Sequence, residues 1–407
     1  MTKYLKLGIF AALALMLGSC NEADRFDPTR EVLVLDGTAE TPLVKFAVET
    51  VPAVYPVTVS ATGKVAEDIT VSLKIDNSLV EKYNAENKTS YFETPEGSVE
   101  LSKSQVVISK GSAISDVSNL TIVSDADFID GRIYMIPVTI TDVKGGMELL
   151  ESSRTAYIRI SRVYSFPAVD LSNIGMYASF IFEDDQVIEL DAHTVEIKFL
   201  ANTWHTSNSN PISRLACIAD KNEKGYLLRI GENGYEKNQL QVFKSHPTLA
   251  EAKFGSNARF ETNVWYTLSM TFDGSVTRLY VNGERDNEFA GGSGMSFQRV
   301  ELGMSWGGYG SSQKFDGRIS EIRVWNRALS ASEIQLGLCG VDPASEGLMG
   351  YWKLNEGQGA VFADATGNGR PMDWGNVWRS PDEGDLKNLD YSSQVRWLFD
   401  DKNKCAN

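Results

Sequence analysis

Three segments of this chain place aromatic rings among small and polar residues: residues 202–211 (NTWHTSNSNP), 305–312 (SWGGYGSS) and 373–379 (DWGNVWR). Such segments form turns and loops, in which a ring is not crowded by its neighbours. An exposed ring packs against the C–H face of a sugar, while nearby polar groups hydrogen-bond the sugar hydroxyls. We therefore expect ligand binding by Trp204, His205, Asn208, Trp306, Tyr309 and Trp374.

The alternative interpretation of these loop aromatics is that each one closes an edge of a hydrophobic core. The other tryptophans show what a core tryptophan looks like in this sequence. Trp265, Trp325 and Trp352 lie in alternating apolar runs and are expected in the core, and Trp397 lies in a further strand-like run.

Catalytic patterns are weak. Glycoside hydrolases place two carboxylates on either side of one bond, commonly on one strand. The strand-like segments here contain single acids, as at Glu196 and Glu321, although an acid pair assembled from distant strands remains an alternative. The histidines have no nucleophile motif nearby, and three His with four scattered Cys lack the spacing of a zinc site. We expect a protein that is not an enzyme.

The overall charge excludes one class of partner. The 407 residues include 39 Lys and Arg against 54 Asp and Glu, which gives a formal net charge of −15. A chain this acidic, with no cluster of basic residues, repels polyanions, so nucleic acid is not an expected partner.

The amino terminus has the features of an export signal, assigned here to residues 1–19. Two lysines precede an apolar run of 11 residues, Leu7–Leu17, which is too short to span a bilayer. Residues 17–20 (LGSC) resemble the lipobox of bacterial lipoproteins, and this resemblance implies lipidation of Cys20. We expect residues 20–31 to form an anchor and linker, the only membrane contact of a protein exposed on the outer membrane.

Residues 32–162 predict an all-β domain. Short β-branched runs alternate with period two, as in Tyr55–Ser60, Ile69–Ile75 and Ile133–Ile140, and one helical stripe covers Ser78–Glu86. The VEKYN stretch within that helix, followed downstream by ISKG, resembles the DUF1735 family. The resemblance implies an immunoglobulin-like β-sandwich at the front of Bacteroides-type surface lipoproteins, acting as a spacer or interaction module.

Residues 163–407 predict a second, differently built domain, because all eight tryptophans lie beyond residue 200. Asn282-Gly283 predicts a type I′ turn, and Ser330 with Glu333 predicts a capping box. The motifs WYTLSMTFDG, RLYVNG, FDGRISEIRVWNRALS and GLMGYWKLNEGQG resemble the laminin-G-like branch of the concanavalin A-like lectin and glucanase superfamily. The resemblance implies a jelly-roll β-sandwich, a fold shared by lectins, hydrolases and protein-binding modules.

Two further features concern structural stability. The turn at residues 364–369 (DATGNG) resembles one that often holds structural Ca²⁺ in this branch, which implies Asp364 and Asn368 as ligands, although the same turn stands without metal as an Asx turn. Cys339 and Cys405 are candidates for a disulfide in an oxidising envelope, whereas Cys217 lies in an apolar run.

Taken together, the sequence predicts a non-catalytic surface lipoprotein that binds a complex glycan, within a system whose other surface proteins take up or degrade polysaccharide or glycoprotein glycans. One alternative is a protein-binding adhesion or scaffold module. A second is a glycoside hydrolase with an atypical acid pair.

Overall fold

The computed structural model describes residues 31–38, 40–172, 177–183, 187–205, 212–231, 234–245, 252–304, 313–379 and 387–406. Strands account for 49% of the protein, which confirms the all-β prediction. Within the described ranges, no helix is long and apolar enough to cross a membrane.

The N-terminal sandwich is built from short strands, one helix and the 3₁₀ turn Glu151–Ser153. Alternation along β5 buries Ile69, Val71 and Leu73 against a core that also contains Ile136 and Ile158. The elements are β1 (Val32–Leu35), β2 (Leu43–Val48), β3 (Ala53–Val57), β4 (Val59–Ala61), β5 (Ile69–Ile75), α1 (Leu79–Asn87), β6 (Phe92–Glu93), β7 (Val99–Leu101), β8 (Gln105–Ile108), β9 (Ser118–Ile122), β10 (Tyr134–Lys144), β11 (Glu148–Leu149) and the first half of β12 (Thr155–Asp170).

The described part of the second sandwich contains the second half of β12, the remaining strands, one further helix and the 3₁₀ turns Gly337–Cys339 and Ser392–Gln394. Its elements are β13 (Ala178–Ile181), β14 (Ile188–Leu190), β15 (His193–Ala201), β16 (Ser213–Ala219), β17 (Gly225–Ile230), β18 (Leu240–Ser245), β19 (Ala252–Gly255), β20 (Trp265–Phe272), β21 (Val276–Val281), β22 (Glu284–Ala290), β23 (Met295–Phe297), β24 (Arg299–Leu302), β25 (Gly317–Trp325), α2 (Ala331–Leu336), β26 (Leu348–Trp352), β27 (Val361–Phe362), β28 (Met372–Asp373), β29 (Val377–Arg379), β30 (Lys387–Leu389) and β31 (Trp397–Ala406).

Two sheets enclose the core of this second sandwich. The smaller sheet has eight strands in the order β19-β18-β17-β16-β24-β13-β29-β30, and the larger one runs β22-β21-β20-β15-β25 before it continues through β12. Phe199, Tyr226 and Trp352 are buried in the shared core. This arrangement of antiparallel strands is the expected jelly roll.

Strand β12 physically joins the two sandwiches. Its first half pairs with β10 and β2, and its second half pairs with β25 and β31. Beside this strand, Arg132 Nε donates to Asp342 Oδ2 at 2.6 Å, and Lys353 Nζ lies 3.3 Å from Asp130 Oδ2. The domains are therefore connected by a continuous strand and two ion pairs.

The structure confirms the predicted local features that depend on backbone chemistry. Helix α1 occupies Leu79–Asn87, within one residue of the predicted span. Asn282 and Gly283 have φ of 50° and 82°, as a type I′ turn requires. Ser330 and Glu333 form the reciprocal capping box at the start of α2.

Candidate functional site

Trp374 was predicted to be an exposed stacking residue, and this prediction is wrong. Its side chain is completely buried, with the ring centroid 5.3 Å from that of Phe180 in an edge-on arrangement. The flanking residues Met372 and Val377 are also fully buried, so the tight turn between β28 and β29 directs the indole into the core. The alternative interpretation, a ring that closes the sandwich, is correct for this residue.

Trp204 and His205 are both partly buried. The Trp204 indole N–H donates to the Phe260 carbonyl at 3.0 Å, and its ring lies 6.4 Å from that of Phe315. His205 Nε2 donates to the Lys314 carbonyl at 2.9 Å. Because backbone carbonyls take these two donors, the polar atoms of the pair hold the loop in place. Ligand binding by the remaining ring surface of Trp204 and His205 stays a prediction.

Three of the predicted binding residues, Asn208, Trp306 and Tyr309, lie outside the described residues, as does the lipidation candidate Cys20. Their roles stay predictions of the sequence.

The smaller sheet carries an unexpected group of polar side chains on the side opposite its core. Alternation along β17 and β24 sends Leu228 and Val300 into the core and turns their neighbours outward. We call this group the polar face, and it consists of Ser179, Cys217, Arg229, Gln241, Arg299 and Glu301.

Strand register brings these residues together from five neighbouring strands. Across β13, β24 and β16, Ser179 lies beside Glu301, which lies beside Cys217. Across β17 and β18, Arg229 lies beside Gln241. Residues in register on adjacent strands share one side of the sheet, so guanidinium, carboxylate, amide and hydroxyl groups face the same space.

The polar face is buried as well as charged. Arg299 is 5% exposed and Glu301 is 0% exposed, with Nη1 of the arginine 3.6 Å from Oε1 of the glutamate. Burial raises the pKa of the Cys217 thiol well above its ordinary value, and the Glu301 carboxylate raises it further, while Arg299 acts in the opposite direction. The thiol is therefore neutral at physiological pH and serves as a small, uncharged neighbour of the ion pair.

Several polar atoms of this face have no hydrogen-bond partner among the described residues. They are Gln241 Oε1 and Nε2, Arg299 Nε and Nη2, and Ser179 Oγ, all of them buried. An unsatisfied buried donor or acceptor costs about 1–3 kcal/mol, so such groups are rare unless water or a ligand binds them. These atoms are therefore the polar groups of this face whose hydrogen bonds remain unsatisfied among the described residues.

One pattern in the sequence points to these residues. The run Arg299-Val300-Glu301-Leu302 alternates charged and aliphatic side chains, which indicates a strand with a charged outer face. Nothing in a single sequence shows that Arg229 and Gln241 lie beside this strand, because the contact depends on the order of strands in the sheet.

The acids considered for hydrolysis have a structural role instead. Arg323 Nη1 lies 3.0 Å from Glu196 Oε2, and its Nη2 lies 2.9 Å from Glu321 Oε2. The indole of Trp325 and the hydroxyl of Ser269 also donate to Glu196. Because a buried guanidinium joins the two carboxylates, they stabilise the outer side of the larger sheet.

Comparison with known families agrees with this architecture. Residues 182–335 match the family model of the concanavalin A-like lectin/glucanases superfamily. Residues 29–147 match the model of an N-terminal domain family, DUF1735. The chain joins a DUF1735 domain to a concanavalin A-like domain. Both family resemblances inferred from the motifs are thereby confirmed.

Several solved structures align with this chain. A Bacteroides ovatus protein suggested to bind carbohydrate aligns over 91% of this chain and 98% of its own, with a TM-score of 0.62 and 22% identity. A SAP-like pentraxin from Limulus polyphemus covers 58% of this chain and 91% of its own at 13% identity, with a TM-score of 0.34.

The CBM40 domain of a Ruminococcus gnavus sialidase, bound to α2,3-sialyllactose, covers 44% of this chain and 98% of its own at 15% identity, with a TM-score of 0.31. No curated protein matches this chain. At these identities the first similarity shows a shared fold.

The calcium prediction concerns the turn at Asp364 in the concanavalin A-like domain. Asp364 Oδ1 accepts hydrogen bonds from the backbone N–H of Tyr351 and from the N–H and hydroxyl of Thr366. Asn368 Nδ2 donates to the Met349 carbonyl at 3.1 Å. Asp364 Oδ2 is buried and has no hydrogen-bond partner among the residues that the structure describes, which alone would suit a cation.

Calcium needs six to eight oxygen ligands, however, and no group of three or more His, Cys, Asp or Glu occurs among the residues with described positions. Arg370 also exerts its positive charge on Asp364. The residues around this turn therefore fit the Asx turn better than a calcium site, and calcium binding stays a prediction of the sequence alone.

The cysteines of this domain have different states. Cys217 is a buried free thiol, as its apolar run predicted. Cys339 is disulfide-bonded, and the 3₁₀ turn that contains it packs beside β31, the strand that contains Cys405. Pairing of Cys339 with Cys405 stays a prediction, which this backbone arrangement favours.

Proposed function

We propose that the concanavalin A-like domain binds a glycan at the polar face of its smaller sheet, without catalysis. The observation that carries this proposal is the set of polar atoms on Gln241 and Arg299 that have no hydrogen-bond partner among the described residues. Planar amide and guanidinium groups bind pairs of adjacent sugar hydroxyls through two parallel hydrogen bonds, and the low local dielectric strengthens each bond. The face therefore supplies specificity for a hydroxyl-rich ligand.

Aromatic side chains are the second component of the proposed site. Residues 305–312, which contain Trp306 and Tyr309, follow directly on β24, the strand of Arg299 and Glu301. Trp378 occupies the register position beside Ser179 on β29. Trp306 and Tyr309 enter the proposal from the sequence, because an aromatic ring provides the apolar surface against which a pyranose ring packs.

The setting of the site is part of the proposal. Lipidation at Cys20 would anchor the protein to the outer membrane, and the DUF1735 domain would hold the concanavalin A-like domain away from the bilayer, among other surface proteins of a glycan-uptake system. The structural similarity to the Bacteroides ovatus protein, which is suggested to bind carbohydrate, supports the glycan-binding part of the proposal.

A glycan array probed with residues 21–407 would test the proposal and identify the sugar. Gln241→Ala and Arg299→Gln should each lower binding of the captured glycan by roughly tenfold, because each loses a buried hydrogen-bonding group. Trp306→Ala should weaken glycan retention in affinity gels without changing the melting temperature.

The matched control is Gln105→Ala, which removes an exposed amide from the DUF1735 domain and should bind glycan as the parent protein does. Equal binding by all four variants would refute the polar face as the site. Capture of a protein partner that competing sugars do not displace would favour the adhesion alternative.

A further inference from the structure

A cleft of about 740 Å³ lies between the two domains, away from the polar face. We call it the interdomain cleft. The DUF1735 domain contributes Lys45 on β2, Arg159 on β12 and the segment Lys88–Phe92, and the concanavalin A-like domain contributes α2 and the segment Gly340–Ser345. This volume is typical of small-molecule sites. Asp342 in the wall of the cleft forms the interdomain ion pair with Arg132.

Two cations of the cleft stand side by side. Arg159 and Lys45 are register partners on the neighbouring strands β12 and β2, so both side chains leave the same face of the sheet. Like charges in this arrangement repel and destabilise the pair. Met135 on β10 is the register partner of Arg159, and Glu93 on β6 is the register partner of Met135 on its other side. Glu93 forms no ion pair with either cation among the described residues.

The acids of the cleft do not neutralise these cations. Glu333 is paired with Arg327 at 2.6 Å, and Asp342 is paired with Arg132 at 2.6 Å. Within the described part of the chain, Lys45, Lys88 and Arg159 form no salt bridge. The cleft therefore carries three uncompensated positive charges in a protein whose formal net charge is −15.

Much of the rest of the wall is apolar. Tyr91 is partly buried, Leu336 is 66% exposed, and Val341 lies on the segment that follows the 3₁₀ turn. A ligand that fits both parts of the wall needs negative groups at one end and an apolar face along the other. Saccharides that carry carboxylate or sulfate groups have this chemistry, since their C–H faces pack on aromatic and aliphatic side chains.

We propose that the interdomain cleft binds an acidic oligosaccharide, through Lys45, Lys88 and Arg159. The choice of a saccharide as the anion rests on the proposed function, whereas the choice of an anion rests on the charges of the cleft alone. An acidic chain long enough to reach both sites would gain avidity from the second contact.

Isothermal titration of residues 21–407 with trigalacturonate, with a heparin tetrasaccharide and with neutral maltotriose would test the proposal. At least one acidic probe should bind and maltotriose should bind more weakly at the cleft, with affinity falling as salt is added. The double variant Lys45→Gln/Arg159→Gln should weaken acidic-probe binding by roughly tenfold or more. The melting temperature of the double variant should stay the same or rise, because the repulsion between Lys45 and Arg159 is removed.

Lys110→Gln is the matched control, since Lys110 is exposed on the DUF1735 domain and forms no ion pair among the described residues. It should bind as the parent does. Polar-face variants should leave acidic-probe binding intact, which separates failure of this inference from failure of the proposed function. Unchanged binding by the double variant, absence of binding by both acidic probes, or equal binding of tetraglutamate would overturn the inference.

Discussion

Arg299 and Glu301 lie two residues apart on β24, with Nη1 of the arginine 3.6 Å from Oε1 of the glutamate on a buried face of the smaller sheet. Removing one member of a buried ion pair leaves an uncompensated charge, which costs far more than the loss of an exposed pair. This relationship allows the stability role of the polar face to be measured separately from ligand binding.

Glu301→Gln should lower the free energy of unfolding by about 3 kcal/mol, because the Arg299 charge remains buried without its carboxylate. Urea denaturation of both proteins would measure the difference. The control is Glu288→Gln, which removes an exposed partner of Arg285 and should cost less than about 1 kcal/mol. Equal losses in the two variants would show that Glu301 is solvated.

Trp374→Ala should lower the free energy of unfolding by about 3–5 kcal/mol, because it leaves a cavity in the core beside Phe180 and Phe362. Trp374→Phe should cost distinctly less, since it keeps most of the packed ring. Chemical denaturation with a glycan-binding assay on the same samples would check this. A Trp374→Ala protein that kept its stability and lost glycan binding would restore the stacking interpretation.

Gly131→Ala should disturb the contact between the two domains. At Gly131 φ is +85°, and an added Cβ would lie 2.1 Å from the carbonyl carbon of Val341, which is impossible without a shift of backbone. Gly111→Ala is a matched control, because Gly111 has a φ of +83° and nothing within 4 Å of the added Cβ. Both variants bear the left-handed penalty of about 1 kcal/mol.

Only Gly131→Ala should therefore increase proteolytic cleavage near the domain junction and lower the melting temperature beyond the control. The same decrease in both proteins would mean that the domains do not touch at this point.

Asp273 makes a pH-dependent contribution to the turn between β20 and β21. Hydrogen bonds from Arg278, first, and from Val276 and Ser275 hold the pKa of its carboxyl well below the ordinary aspartate value of 3.8. In the unfolded chain the carboxyl becomes protonated first as the pH falls. The stabilisation is therefore complete at neutral pH and is lost as the pH falls below about 4 toward the lower folded pKa.

Asp273→Asn should accordingly be less stable than the parent by under about 1 kcal/mol between pH 5 and 8, a small value because the side chain is exposed to solvent. The difference should shrink below pH 4, and urea unfolding at several pH values would show it. A difference independent of pH would mean that the neutral amide replaces the carboxylate equally well.

Local features were predictable because they depend on a few neighbouring residues. The I′ turn at Asn282-Gly283 needs only residues that tolerate positive φ, and the capping box at Ser330 needs only a hydroxyl and a carboxylate at fixed spacing. The order of four motifs likewise predicted the fold of the second domain. Burial of individual loop rings was not predictable in this way, since the DWG turn of Trp374 has the same composition as an exposed loop.

The sequence by itself determined the strand periodicity, the turns, the two fold families and the acidic surface, because each of these arises from short-range chemistry or total charge. Only the tertiary structure decided that Trp374 faces the core, that Gln241 and Arg299 lie on one buried face of the smaller sheet, and that Arg159 stands beside Lys45. These relationships join residues distant in the chain, and they follow from strand order and register, which no local pattern of residues specifies.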